Sequence, residues 1–222
     1  ILHVHECCIR VCLGTTVSAG AQEYFSKDLC VADDVSLGTD TTDSQVAEGA
    51  GTFNLATNEI VYAKNIYERL YPASTTKILT AYIALKYCTD LSQTVTISEN
   101  AANQASDSSV CGLHAGDVIR MDDLLYGMML RSGNDAAIAI AESISGSVEE
   151  FAAAALGATQ SHFVNPNGLP DENHYTSVYD LYLIFNACIQ NDTFKEIISM
   201  SSYTMSIGDA AGNTHSLEVL PT

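Results

Sequence analysis

The stretch Tyr71–Thr80, YPASTTKILT, decides how this chain is read. A serine stands three residues before a lysine, behind a proline, where an apolar helical pattern begins. Ile78, Leu79, Tyr82, Ile83 and Leu85 form one stripe of that helix. A proline just ahead of a helix and a serine in its first turn are ordinary start signals. Residues three apart on a helix are neighbours, so Lys77 reaches over Ser74. A serine hydroxyl is a weak nucleophile until something takes its proton, and a lysine does so only if its pKa is lowered. The positive end of the helix dipole disfavours a second positive charge and favours a developing anion, which suits acyl transfer. A capping serine followed by a solvated lysine would fit the tetrad equally well. Ser74-x-x-Lys77 is nonetheless the only such spacing in the chain.

Working outward, the next candidate is Ser132-Gly133-Asn134 in LLYGMMLRSGNDAAIAIAE, at the junction of two helical patterns. There a hydroxyl can relay a proton while an amide two residues on grips a peptide group. Ser-x-Asn alone is a weak signal: it recurs as Ser98-Glu99-Asn100, which reads as a plain surface turn.

Three segments, YPASTTKILTAY, LLYGMMLRSGNDAAIAIAESISGSVEEF and GATQSHFVNPNGLPDENHYTS, carry a resemblance in order and spacing. From about Ala47 to about Tyr203 the chain resembles the serine D-Ala-D-Ala carboxypeptidases, the low-molecular-mass penicillin-binding proteins. The resemblance implies an α+β fold of the β-lactamase/DD-peptidase type, with a helical cluster packed on an antiparallel sheet. It also implies that Ser74 is the acylated nucleophile, Lys77 its general base, Ser132 a second catalytic group and Asn134 a substrate-binding one. The implied reaction removes the terminal D-alanine from peptidoglycan pentapeptide stems, with no metal and no organic cofactor. β-Lactams would acylate the same serine.

The chain departs from the family pattern in two places. The family's third motif, Lys-Thr-Gly, follows a region resembling NTHSLEVLPT, and the sequence ends at Thr222 before it; no lysine follows Lys195. The expectation is a piece of a longer protein whose sheet is incomplete here. The helix in EEFAAAALGATQ is also short by a turn or two, which bears on where FVNPNGLPD packs. Two other functions are weighed. A class A β-lactamase would need Asp where Gly133 stands and a deacylating glutamate, and Glu172 lies among turn residues. A non-catalytic peptidoglycan-binding protein on the same fold would account for a missing third motif. His162 and His174 are read as surface or turn residues without a catalytic role.

The acidic excess, 27 Asp and Glu against 9 Lys and Arg, gives a net charge of −18 with no cationic cluster, which disfavours nucleic acid and anionic membrane surfaces as partners. No run approaches the ~18 apolar residues of a membrane span. Residues 1–21 resemble a partial export signal, with Ala19-Gly20-Ala21 as an A-x-A-like site; a disordered tail is the other reading. Residues 22–46 are polar and acidic and read as a linker, leaving 47–222 as the catalytic domain. The expected setting is extracytoplasmic, and a membrane anchor on the full-length protein stays open.

Of seven cysteines, Cys30, Cys88, Cys111 and Cys188 lie beyond the leader and lack zinc-ligand spacing. Cys88 with Cys111 is the pair to test for a disulfide, and buried free thiols are the other reading. The remaining patterns predict a hairpin over Ala47–Asn65, a strand in QTVTIS, and a polar surface segment in ENAANQASDSS. Beyond these they predict a turn, short strand and helix in AGDVIRMDDLLYGMMLRSG, helices in NDAAIAIAESISG and SVEEFAAAAL, and a helix over Val178–Ile189.

Overall fold

A computed structural model describes residues 47–144 and 156–222. The export signal, the linker, Cys30 and the helix expected in SVEEFAAAAL fall largely or wholly outside these residues. The chain opens with the predicted hairpin, strands β1 (Ala50–Asn54) and β2 (Glu59–Lys64), paired antiparallel as a separate two-stranded sheet. Its turn is built by Asn54, whose Oδ1 accepts from the backbone N–H of Ala56 at 3.0 Å and of Thr57 at 3.3 Å. Asn58, at φ 54°, completes the reversal in the left-handed region that asparagine tolerates.

A short 3-10 turn, Ala73–Thr75, leads into α1 (Thr76–Tyr87). The predicted stripe is present, but α1 is buried well beyond it: Thr76, Lys77 and Thr80 are all at most 3 % exposed. It is therefore a central helix with neighbours on several sides. It packs against α3 (Met121–Arg131), α4 (Asn134–Ile144) and α5 (Val178–Cys188). Alanines at 136, 137 and 139 on α4 let that helix approach closely, and Leu79, Leu124, Leu125, Met128 and Ile140 fill the space between. α5 starts where the Ser177 hydroxyl accepts from the Asp180 N–H at 3.1 Å, and packs against the hairpin through the stacked Phe53 and Tyr182 rings.

The second sheet has the order β3-β4-β5-β6, all antiparallel: β3 is Thr94–Thr96, β4 Val118–Arg120, β5 Tyr203–Gly208 and β6 Thr214–Val219. Met205 and Ile207 point into the core against α3, while their neighbours face outward, as the period of two requires. Asp123 on α3 clamps β5, accepting from the Tyr203 hydroxyl at 2.8 Å and the Ser206 N–H at 3.2 Å. The helical cluster on an antiparallel sheet expected from the resemblance is thus the architecture observed.

One local reading is corrected, and one pair of alternatives is decided. Ser98-Glu99-Asn100 is not a plain turn but the start of α2 (Glu99–Ala102): the Ser98 hydroxyl caps it by accepting from the Ala101 N–H at 2.9 Å. Cys88, Cys111 and Cys188 are free thiols, so the pairing of Cys88 with Cys111 is absent. A further helix, α6 (Asp192–Ser199), capped by Asn191, joins α5 to β5 and had no counterpart among the predicted elements. No helix among the described residues is long and apolar enough to cross a membrane.

Candidate active site

Ser74 lies exposed on the 3-10 turn, with the turn of α1 that follows carrying Lys77 beneath it. Lys77 Nζ is 3.1 Å from Ser74 Oγ and donates to the Asn167 carbonyl at 2.7 Å. Only 2 % of Lys77 is exposed. Burial pulls its pKa down to about 8, against the opposing pull of the negative charge of Asp135. About a tenth of the amine is therefore neutral at pH 7, and its lone pair is within reach of the serine proton.

The residue before the serine holds an unusual backbone: Ala73 has φ 48°. A left-handed alanine is strained and persists only where its surroundings fix it. Gly168 (φ 87°) packs directly on it, so closely that a Cβ there would overlap the Ala73 carbonyl. The loop bearing Gly168 is shaped by Asn165, whose Oδ1 accepts from the Gly168 N–H at 2.7 Å and the Leu169 N–H at 3.1 Å. Thr80 adds a third tie, donating to the Pro166 carbonyl at 2.7 Å. FVNPNGLPD accordingly packs against the start of α1 although the preceding segment is short.

Ser132 ends α3 in the left-handed region, at φ 58°. Asn134, 6 % exposed, begins α4, and its N–H donates to the Ser109 carbonyl at 2.8 Å. Between them Gly133 leaves no room for a side chain, since a Cβ would lie 2.5 Å from Cys111 Sγ. Asp135 fixes the facing segment: its carboxylate accepts from the N–H groups of Cys111 and Gly112 at 2.9 Å and of Leu113 at 3.1 Å. Burial, followed by the charge of Asp135, pushes the Cys111 thiol far up, so it is inert packing rather than a nucleophile. Ser74 and Lys77 thus meet directly. The Ser132–Asn134 turn is linked to them through Cys111, against which Gly133 packs, and through Asp135, whose negative charge acts on Lys77.

His174 closes a turn, its N–H donating to the Asp171 carbonyl at 3.0 Å, but it is not a surface residue. It is 1 % exposed, with Nε2 2.8 Å from Thr76 Oγ1 and Nδ1 3.0 Å from the Val164 N–H. His162 is half-buried, and its Nδ1 lies 2.6 Å from the Asn173 carbonyl. Glu172, the one glutamate weighed for a β-lactamase, is exposed on the outer turn. Asn167 and Gly168 contribute through backbone, which leaves little trace in a sequence beyond the Asn-Gly turn signal.

A helical cluster on an antiparallel sheet, with a serine–lysine pair at the head of its central helix, defines the class: the DD-peptidase/β-lactamase-like fold. The crystal structure of a DD-transpeptidase from Streptomyces K15 superposes with a TM-score of 0.74 at 30 % identity, covering 79 % of this chain and 73 % of that one. A D-alanyl-D-alanine carboxypeptidase from Mycobacterium tuberculosis superposes with a TM-score of 0.71 at 27 % identity, over 79 % and 66 % of the two chains. Residues 39–215 match the D-alanyl-D-alanine carboxypeptidase family, and the chain belongs to it. The D-alanyl-D-alanine carboxypeptidase DacF of Bacillus subtilis is 36 % identical over 160 residues, which are 68 % of this chain and 41 % of DacF. The chain spans less than two thirds of the length of such curated relatives.

Proposed function

We propose that the protein is a serine D-Ala-D-Ala carboxypeptidase acting on peptidoglycan stem peptides. The observation that carries this reading is the Lys77 amine, buried, drawn down to about 8 and 3.1 Å from Ser74 Oγ. Neutral Lys77 takes the Ser74 proton as Oγ attacks the carbonyl between the two terminal D-alanines. The tetrahedral oxyanion is met by the Ser74 backbone N–H, one member of the donor set. The proton passes to the departing amine, through Lys77 with Ser132 as relay, and D-alanine leaves an acyl-enzyme. A water molecule then attacks the ester, releases the shortened stem and returns the proton to Ser74. Asn134 grips the amide of the stem peptide. β-Lactams, which mimic the D-Ala-D-Ala end, acylate the same oxygen.

The setting is outside the cytoplasmic membrane, where this substrate lies, and 47–222 is the catalytic domain. Neither alternative gains support: the β-lactamase reading lacks a placed glutamate, and a purely binding role leaves the buried lysine beside Ser74 without a purpose. Incubation of the full-length gene product with a synthetic pentapeptide ending in D-Ala-D-Ala tests the proposal. Free D-alanine should appear with the wild type and be undetectable with Ser74→Ala. Equal release by both, or none by the wild type, would overturn it.

A further inference from the structure

The buried His174 ring bridges the two segments that hold Lys77. Its Nδ1 faces the Val164 backbone N–H at 3.0 Å, and its Nε2 faces Thr76 Oγ1 at 2.8 Å. A backbone N–H only donates, so Nδ1 must accept; the single proton of the neutral imidazole then sits on Nε2 and is donated to Thr76. Thr76 immediately precedes Lys77. Val164 lies three residues before Asn167, whose carbonyl accepts from Lys77 at 2.7 Å. We propose that His174 is a positioning residue: its neutral Nε2–H form clamps the 163–168 loop to α1 and so keeps the Asn167 carbonyl on the Lys77 amine. Protonation of the ring releases the clamp. This rests on the reading of Lys77 as the base for Ser74, but the clamp itself is open to observation without any reaction.

The chemistry of release is direct. A protonated imidazole carries two donors, so an Nδ1–H would confront the Val164 N–H, and one of them must move away. The surroundings resist that charge: burial holds the His174 pKa below the ordinary histidine value, Asp171 on its own loop pulls upward, and His162 across the bridge to Tyr175 pushes down. On the α1 side the ring meets the neutral Thr76, with Lys77 next along the helix. Phe163 covers it edge-on, with ring centroids 5.5 Å apart. On α5 the acid Asp180 is already engaged by the Ser161 hydroxyl and the Gln160 N–H. Because the folded pKa is lowered, the unfolded chain takes up the proton first as pH falls. The stability lent by the neutral ring is complete above ~6.5 and is lost progressively below it.

Nitrogen NMR of the histidine-labelled full-length protein tests the clamp. The expected result is an Nε2–H tautomer for His174, titrating below the ordinary value, with amide exchange at Val164–Gly168 accelerating beyond its intrinsic pH dependence over the same range. An Nδ1–H tautomer, or a titration that leaves those amides unchanged, would overturn the proposal whatever the enzyme's activity. Acylation by a labelled penicillin supplies the second readout. Below the Lys77 limb the wild-type log rate should fall with a slope of one, steepening beyond one over about one pH unit where His174 titrates. His174→Gln, which keeps a donor and an acceptor but cannot charge, should retain the slope of one throughout. His174→Phe, which lacks the clamp at any pH, should acylate about tenfold more slowly than the wild type above the His174 limb, as expected for a lost net hydrogen bond at the site, and should converge with it below that limb. A second limb surviving in His174→Gln would contradict the clamp.

Discussion

Lys77 concentrates the chemistry in one side chain. Its spacing from Ser74 was legible in the sequence, because three residues on a helix is a fixed distance; its burial was not, because the residues that cover it come from Asp135, Cys111 and the Asn167 loop, far away along the chain. The sign of the pH effect follows from the burial. The neutral amine is the base, so acylation of Ser74 should rise with pH and level off above about 8. Lys77→Met should lower the acylation rate by ~10²–10⁴-fold and abolish that limb, as stopped-flow measurements with a chromogenic β-lactam would show. His174 illustrates the opposite case. A lone histidine in a turn-rich segment carries no periodicity, and only the fold brings its ring beneath Thr76.

At the scale of elements, the hairpin, α1, α3, α4 and α5 could be read from apolar periodicity bounded by Pro, Gly or a capping serine. The strands β5 and β6 and the helix α6 could not. YTMSIG and THSLEV are short and half exposed, and what commits β5 is Asp123, some eighty residues earlier, accepting from Tyr203 and Ser206. The same kind of distant polar clamp sets the α3–α4 junction. Asp135 takes three consecutive N–H groups from Cys111 to Leu113 and thereby presses that segment onto Gly133. Asp135→Ala would strand those donors and should cost ~3 kcal/mol or more of unfolding free energy; Asp135→Asn, which keeps one acceptor oxygen, should cost less. Urea denaturation of the two variants measures the difference, and equal losses would mean that the one oxygen kept by asparagine satisfies none of those N–H groups.

Across the whole molecule, the candidate site is a meeting of four segments: the head of α1, the Cys111 strap, the Ser132–Asn134 turn and the Asn165–Gly168 loop. The two segments bearing side-chain motifs were visible in the sequence. The other two contribute backbone carbonyls, N–H groups and close packing, which residue types encode poorly. The left-handed backbones of Ala73, next to Ser74, and of Ser132, itself the proposed relay, are strains that the surrounding structure holds in place. All of this geometry serves one claim, that Ser74 is the oxygen that becomes acylated. The direct measurement is peptide mass mapping of the full-length gene product after incubation with benzylpenicillin. The account predicts a single penicilloyl adduct on the peptide containing Ser74, absent in Ser74→Ala; no adduct, or one on another residue, would contradict it.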